Sequence, residues 1–209
     1  MKILIPARKG SKGVKFKNRT LLEYTLATIP VELQKETYVS TDDEVIKKTI
    51  ENTNFNTHDR SLSSASDTAS IKQLVEEFCS DVVSEDIDEI VVMLYLTYPQ
   101  RTYSDIKRAI EFFNENSSKS LLCRQPLKSN PFLCMYEEDG YKGSQIIPHN
   151  LYRRQDYPKC FEISHFVSIF KKSEVKNLNN NMYNKNTIFL EVPRVLDIDT
   201  ELDMRQFKK

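Results

Sequence analysis

The sequence predicts an α/β domain in which a mostly parallel sheet lies between helical layers, with a small inserted arm. Three observations carry this expectation. Strand-like and helix-like segments alternate up to about residue 123, which is the rhythm of βαβ units. Two of the strand-like segments, residues 2–6 and 89–94, have apolar centres (Ile3-Leu4-Ile5 and Ile90-Val91-Val92-Met93-Leu94), as strands buried on both faces do. The rhythm then breaks in residues 124–160, which carry Pro126, Pro131, Pro148 and Pro158 together with Gly140 and Gly143. That stretch reads as the arm.

Taken in order, residues 2–6 form the first strand and residues 7–18 a polar loop. Leu21, Leu22, Tyr24, Thr25 and Ile29 mark a helix, stopped by Pro30. Tyr38-Val39-Ser40 is a second strand. Thr41-Asp42-Asp43-Glu44 has the spacing of a capping box, and Val45, Ile46 and Ile50 give the helix it opens one apolar face. Ile71, Leu74, Val75 and Phe78 recur at i, i+3, i+4 and i+7, the best-marked helix. After the strand at 89–94, Thr102-x-x-Asp105 caps a helix with Ile106, Ile110 and Phe113 on one stripe, and residues 120–123 return to strand. Asp139-Gly140 is a hairpin signal between residues 132–136 and 141–147. Residues 161–170 and 188–192 are strand-like, residues 177–186 form an exposed Asn-rich loop, and Thr200-x-x-Asp203 caps a terminal helix. No internal repeat is visible.

At 209 residues the chain has the size of one domain, residues 1–209. Lys+Arg and Asp+Glu both number 30, so no overall charge recruits nucleic acid or an acidic membrane. The apolar runs are far shorter than the roughly 20 residues of a bilayer helix. Arg8 and Lys9 follow the first strand at once, which is not the pattern of a secretory leader. A cytoplasmic protein is expected. Cys79, Cys123, Cys134 and Cys160 show no C-x-x-C spacing, and His58, His149 and His165 do not pair with cysteine at zinc-ligand spacing. Cys79 and Cys123 are expected as small buried hydrophobes, and His58 and His149 on surface loops. His165 is expected as a pocket wall or a partly buried histidine. Tyr95 and Tyr98 are expected to pack at the end of the sheet, with Tyr95 also a candidate contact to substrate.

Two local features carry chemistry. Residues 8–19 hold Arg8, Lys9, Lys12, Lys15, Lys17 and Arg19 and no acid, with Gly10 and Gly13 among them. They lie between the first strand and the first helix, where an open α/β sheet binds ligands. Backbone N–H groups, a helix N-terminus and cations all favour an anion there. The spacing matches neither the Walker loop nor the dinucleotide fingerprint. A merely solvated basic loop is the alternative. The second feature is Asp197-Ile198-Asp199, followed by Glu201 and Asp203. If this stretch is a strand, Asp197 and Asp199 share a face and can share a hard cation such as Mg²⁺. An acidic helix start explains Glu201 and Asp203 but not Asp197. Together, a basic loop and a carboxylate pair are the parts of nucleotidyl transfer.

Ile5-Pro6-Ala7-Arg8-Lys9-Gly10-Ser11-Lys12-Gly13, with Lys17-Asn18 behind it, resembles the N-terminal signature of the CMP-sialic acid synthetases (acylneuraminate cytidylyltransferases). Val39-Ser40-Thr41-Asp42-Asp43 is similar to the second block of that family. Arg60 with Ala65-Ser66-Asp67-Thr68-Ala69-Ser70 is similar to the third, Thr97-Tyr98-Pro99-Gln100-Arg101-Thr102 to the fourth, and Asp197-Ile198-Asp199-Thr200-Glu201-Leu202-Asp203 to the last. The blocks come in family order and span nearly the whole chain.

The resemblance implies a Rossmann-like three-layer sandwich of the nucleotide-diphospho-sugar transferase type. It implies that Arg8, Ser11, Lys12 and Lys17 hold the phosphates of CTP, that Asn18 meets the ribose, and that Arg60 and the backbone of Ala69 read cytosine. Arg154 and Gln155, with Tyr95, fall toward the acidic sugar, and Asp197 and Asp199 toward Mg²⁺. The implied reaction is attack of the sugar's anomeric hydroxyl on the α-phosphate of CTP, with Arg8, Lys17 and Asp199 catalytic and pyrophosphate released. It also implies a homodimer whose arm, residues 124–160, reaches the partner's sugar site. The chain departs from the family pattern in places. Tyr95-Leu96-Thr97-Tyr98-Pro99 stands for Gln-Pro-Thr-Ser-Pro, Ser164-His165-Phe166 for Asn-Gly-Ala, Leu133 for a sugar-facing lysine and Ile71 for a base-contacting serine. Two other readings stay open on the residues alone: a catalytically weak nucleotide-binding relative, and a glycosyltransferase using Asp197-Ile198-Asp199 to hold a nucleotide-sugar.

Overall fold

The computed structural model describes residues 1–10 and 13–208. The chain runs β1 (Lys2–Pro6), α1 (Lys17–Leu26), α2 (Val31–Gln34), β2 (Thr37–Thr41), α3 (Glu44–Glu51), β3 (Asn56–Asp59), α4 (Leu62–Ala65) and α5 (Ile71–Asp81). It continues through β4 (Ile90–Met93), α6 (Tyr103–Glu115), β5 (Ser120–Pro126), β6 (Met135–Glu137), β7 (Gly143–Gln145), β8 (Phe161–Lys171), β9 (Ile188–Glu191) and α7 (Glu201–Phe207). Seven strands make one sheet in the order β3-β2-β1-β4-β8-β5-β9. All its pairings are parallel except the two made by β8, which runs antiparallel to both β4 and β5.

The apolar runs are buried on both faces, as their composition requires. Ile3, Ile5, Val92 and Leu94 pack with Leu21 and Leu22 of α1, Ile46 and Ile50 of α3, Phe113 of α6 and Met204 of α7. Leu4, Val91 and Met93 pack on the other face with Val75, Phe78 and Cys79 of α5. This alternation makes the three layers. Cys79 and Cys123 are buried, and burial pushes their thiols up to about 12 and about 11.

Two of the three expected capping boxes form. Thr102 with Asp105 opens α6 and Thr200 with Asp203 opens α7. The third does not: α3 is capped by Asp43, whose side chain accepts from the Val45 N–H. The Thr41 hydroxyl is committed elsewhere, donating to the Ala7 carbonyl at 2.6 Å. β3 is not evident in the sequence, because it is polar and only His58 of its four residues is buried. His58 therefore does not sit on a surface loop. It is 4% exposed, with Nδ1 2.8 Å from Ser40 Oγ and Nε2 3.3 Å from Asp81 Oδ2.

The hairpin of β6 and β7 closes at Gly140, which adopts φ 59. The segment between β5 and β8 exposes Leu133, Met135, Tyr136, Tyr141 and Tyr152. Among the described residues no helix is long and apolar enough to cross a membrane.

Candidate active site

β1 and β4 are neighbours, but the chain leaves them in opposite directions across the sheet. Such a switch point opens a crevice at the carboxyl ends of the strands. A cleft of about 360 Å³ lies there. After β1 it is lined by Arg8, Gly10, Gly13, Lys17 and Asn18, and after β4 by Tyr95, Leu96 and Thr97. Arg60, Ala69 and Ile71 come from the third sequence block, and Asp199 comes from the approach to α7. The basic loop and Asp199 of the late acidic pair, nearly two hundred positions apart, thus meet in one cleft.

Their meeting is direct. Lys17, 9% exposed, donates from Nζ to the Ile198 carbonyl at 2.7 Å and to Asp199 Oδ1 at 2.9 Å. Asn18 donates to the Arg8 carbonyl at 2.8 Å. Arg8 donates to Asp67 Oδ1 at 2.9 Å and to the Ser66 carbonyl at 3.3 Å. The Arg60 guanidinium, tethered at 3.1 Å to the Ser64 carbonyl, has its pKa lowered by burial and by the nearby Arg8, against the pull of Asp42. Ser11 and Lys12, expected at the phosphates, lie outside the described residues.

A brace under the loop is the part that sequence reasoning missed. The Thr41 hydroxyl holds the Ala7 carbonyl, Asp42 Oδ1 accepts the Lys9 N–H at 2.7 Å, and Asp43 takes Arg19 through two bonds of 2.6 and 2.9 Å. Three consecutive residues, the last of β2 and the two that follow it, therefore hold both ends of the cationic segment. The signal was present as a Thr-Asp-Asp run directly after a strand.

Asp197 and Asp199 do not lie on a strand, so the shared-face argument fails. Ile198 between them is fully buried, and its N–H donates to the Thr97 carbonyl at 2.9 Å. Pinned there, the loop turns Asp199 toward the cleft with 69% of its side chain exposed and leaves Asp197 inside. The Tyr98 hydroxyl donates to Asp197 Oδ2 at 2.8 Å, while Asp197 Oδ1 is buried with no hydrogen-bond partner. Burial raises the Asp197 pKa, and the neighbouring Asp199 charge adds to this against the pull of the Thr97 and Tyr98 hydroxyls and Lys17. A buried carboxylate oxygen without a partner, beside a second carboxylate and an anion-binding loop, fits a hard cation. Asp203 is spent on the α7 cap.

Among the described residues one group of three side chains, His58, Glu77 and Asp81, is close enough to share a metal. None of them lines the cleft, and His58 and Glu77 are engaged by Ser40 and Ser61. Arg154 and Gln155, expected at the sugar, stand exposed on a 3₁₀ turn of the arm (Arg154–Asp156) and do not line this chain's cleft.

The sequence profile of the cytidylyltransferase family matches residues 2–191. The chain belongs to the cytidylyltransferase family. Among curated proteins, the chain is 28% identical to "Post-translational flagellin modification protein B" of Campylobacter coli, over 96% of this chain and 90% of that one. It is 26% identical to an N-acylneuraminate cytidylyltransferase of Streptococcus agalactiae over 96% of its own length, and it spans only 50% of that longer protein. Among solved structures it resembles CMP:2-keto-3-deoxy-manno-octonic acid synthetase complexed with CTP, with TM-score 0.70, 14% identity and coverage of 99% of this chain and 96% of that one. That likeness shows a shared fold.

Proposed function

We propose that the chain transfers CMP from CTP to the anomeric hydroxyl of an acidic nonulosonic sugar of the sialic, legionaminic or pseudaminic type, releasing pyrophosphate in a Mg²⁺-dependent reaction. The observation that carries this reading is the convergence of Lys17 and Asp199 in one cleft at the switch point. One relative supports the substrate class: a named N-acylneuraminate cytidylyltransferase that is similar over nearly the whole of this chain.

In this mechanism the cations of the loop take the triphosphate. Arg8 and Lys17 are bound to acids in the free protein, so the phosphates replace Asp67 and Asp199 as their partners. That exchange keeps both cations neutralised in either state and fixes the α-phosphate over the mouth of the cleft. Arg60 and the Ala69 backbone meet the base, and Asn18 the ribose. Mg²⁺ held by Asp197 and Asp199 supplies positive charge to the phosphates when bound. The sugar's anomeric oxygen forms a bond to the α-phosphorus, its proton passes to Asp199, and the bond to the pyrophosphate oxygen breaks. Catalysis here is positioning and charge stabilisation. Arg154 and Gln155 act on the sugar in the cleft of a partner subunit, to which the apolar arm carries them.

The test is incubation with CTP, Mg²⁺ and a panel of N-acetylneuraminate, N,N'-diacetyllegionaminate and pseudaminate. Pyrophosphate release with one of them is expected. Silence across the panel, with CTP binding intact, removes the proposal in favour of a nucleotide-binding protein.

A further inference from the structure

Residues 60–70 carry the chain from the end of β3 to the start of α5. Four of them, Arg60, Ser66, Asp67 and Ala69, line the cleft. The segment is polar, and α4 (Leu62–Ala65) gives it a single helical turn. It has little core of its own, so its shape depends on what ties it down.

Its near end is tied to β2, where the Arg60 N–H donates to the Thr41 carbonyl at 3.2 Å. A second tie comes from α5. Glu77, in the second turn of that helix, takes both donors of Ser61: Oε1 accepts the Ser61 N–H at 2.7 Å and Oε2 accepts the hydroxyl at 2.9 Å. The direction of the hydroxyl follows from its other bond. Ser61 caps α4 by accepting the Ser64 N–H at 3.2 Å, so its one proton is free for the carboxylate. Ser64, fully buried, turns its carbonyl to Arg60, which donates to it from both Nε and Nη2. A chain of bonds thus runs from the Glu77 carboxylate through Ser61 and Ser64 to the guanidinium in the cleft. Burial opposes the Glu77 charge, but the Ser64 and Ser61 hydroxyls, the Ser61 N–H and nearby His58 outweigh it and hold the carboxyl below its usual 4.5. Hydrogen bonds to an ionised acceptor are the strong ones. Glu77 itself does not line the cleft.

We infer that Glu77 is a positioning residue for nucleotide binding: from behind the cleft it sets the α4 turn and, through it, the angle at which Arg60 enters. This inference rests on one part of the proposed reaction, that the cleft takes CTP. A guanidinium whose Nε and Nη2 both go to one carbonyl has Nη1 to offer a ligand, in a direction which that carbonyl fixes. When Ser61 loses its anchor, the Ser64 carbonyl shifts and Arg60 turns with it. Lys17 and Asp199 stand on other elements and keep their places. The consequence is selective: affinity for the nucleotide falls, while the acceptor sugar and the chemical step are spared.

The experiment compares wild type with Glu77→Gln, which keeps the volume but offers one acceptor where two are needed, and with Ser61→Ala, which removes the hydroxyl from the other side. Asp81→Asn is the control, since Asp81, one turn further along α5, meets His58 instead. Steady-state constants are measured with CTP and the best sugar of the panel, CTP affinity is measured by calorimetry, and Tm is recorded. Glu77→Gln and Ser61→Ala are each expected to raise the Kd and KM for CTP at least fivefold, with kcat and the sugar KM within twofold. The double variant is expected to be no worse than the poorer single one, and Asp81→Asn to leave the CTP constants within twofold. Unchanged CTP constants in both single variants, an equal effect on kcat or the sugar KM, additive losses in the double variant, or the same CTP effect in Asp81→Asn overturns the assignment while wild-type turnover upholds the reaction. Wild type that binds CTP without turnover overturns the reaction, and the Kd values alone then decide the assignment. Wild type that does not bind CTP overturns both together.

Discussion

Gly13 and Asp199 touch so closely that a β-carbon on Gly13 would stand 1.9 Å from the Asp199 carbonyl oxygen. No side chain fits there without moving one of the two segments that build the cleft. Gly10, in the same loop, has nothing within 4 Å of such a carbon. Gly13→Ala is therefore expected to weaken CTP binding at least tenfold and to lower Tm by several degrees, while Gly10→Ala leaves both nearly unchanged. Calorimetry and thermal melts of the two variants decide it, and equal effects would show that the close approach does not matter.

The carboxylate pair gives a second expectation. A chelator should abolish pyrophosphate release and added Mg²⁺ should restore it. Asp199→Asn should raise the Mg²⁺ concentration for half-maximal rate by at least an order of magnitude. Asp199→Asn should also lose most turnover at saturating Mg²⁺, because the sugar's proton then has no acceptor, whereas Asp197→Asn should act through the metal alone, by placing a weaker ligand at the unpartnered buried Oδ1. Both variants should still melt cooperatively. Full activity in Asp197→Asn would remove that residue from the metal site.

The layers of the fold were legible because burial on two faces leaves an unbroken apolar run, and because helix stripes and the caps at Thr102 and Thr200 are local signals. The direction of β8 was not, since composition carries no strand polarity. The Thr41 cap failed because the hydroxyl serves Ala7 instead, and β3 hid because a polar edge strand lacks alternation. The cations of the cleft were legible as an imbalance of charge. The geometry of Asp197 and Asp199 was not, because it depends on Ile198 being pinned to Thr97, a contact between positions about a hundred residues apart.

Whether the arm serves a neighbouring subunit can be read from mixed variants. Arg154→Ala and Lys17→Ala should each be nearly inactive alone. If each cleft takes Arg154 from a partner, co-refolding them in equal amounts restores about a quarter of wild-type activity, since about half the dimers are mixed and each has one complete site. No recovery on mixing, or a monomer in sedimentation, overturns the crossing arm.

The brace gives a pH dependence. Burial opposes the Asp43 charge, but Arg19, the Val45 N–H and Lys9 outweigh it and hold the carboxyl below its usual 3.8. The native state then binds fewer protons than the unfolded chain in that range. Its stabilisation is complete above about pH 4 and is lost as pH falls through the lower folded value. Asp43→Asn should lower Tm by several degrees at pH 7 and flatten the acid limb of a Tm profile taken from about pH 2.5 to 7. An acid limb as steep as that of wild type would place the titration elsewhere.

Lys17 and its partner Ile198 are 181 positions apart. At ordinary rates of synthesis the ribosome makes the first roughly 10–40 s before the second. During that interval a nascent chain carries its phosphate-seeking cations with no carboxylates from the far end to answer them. The carboxylate side of the cleft is therefore added last, to a fold whose cationic side is already in place.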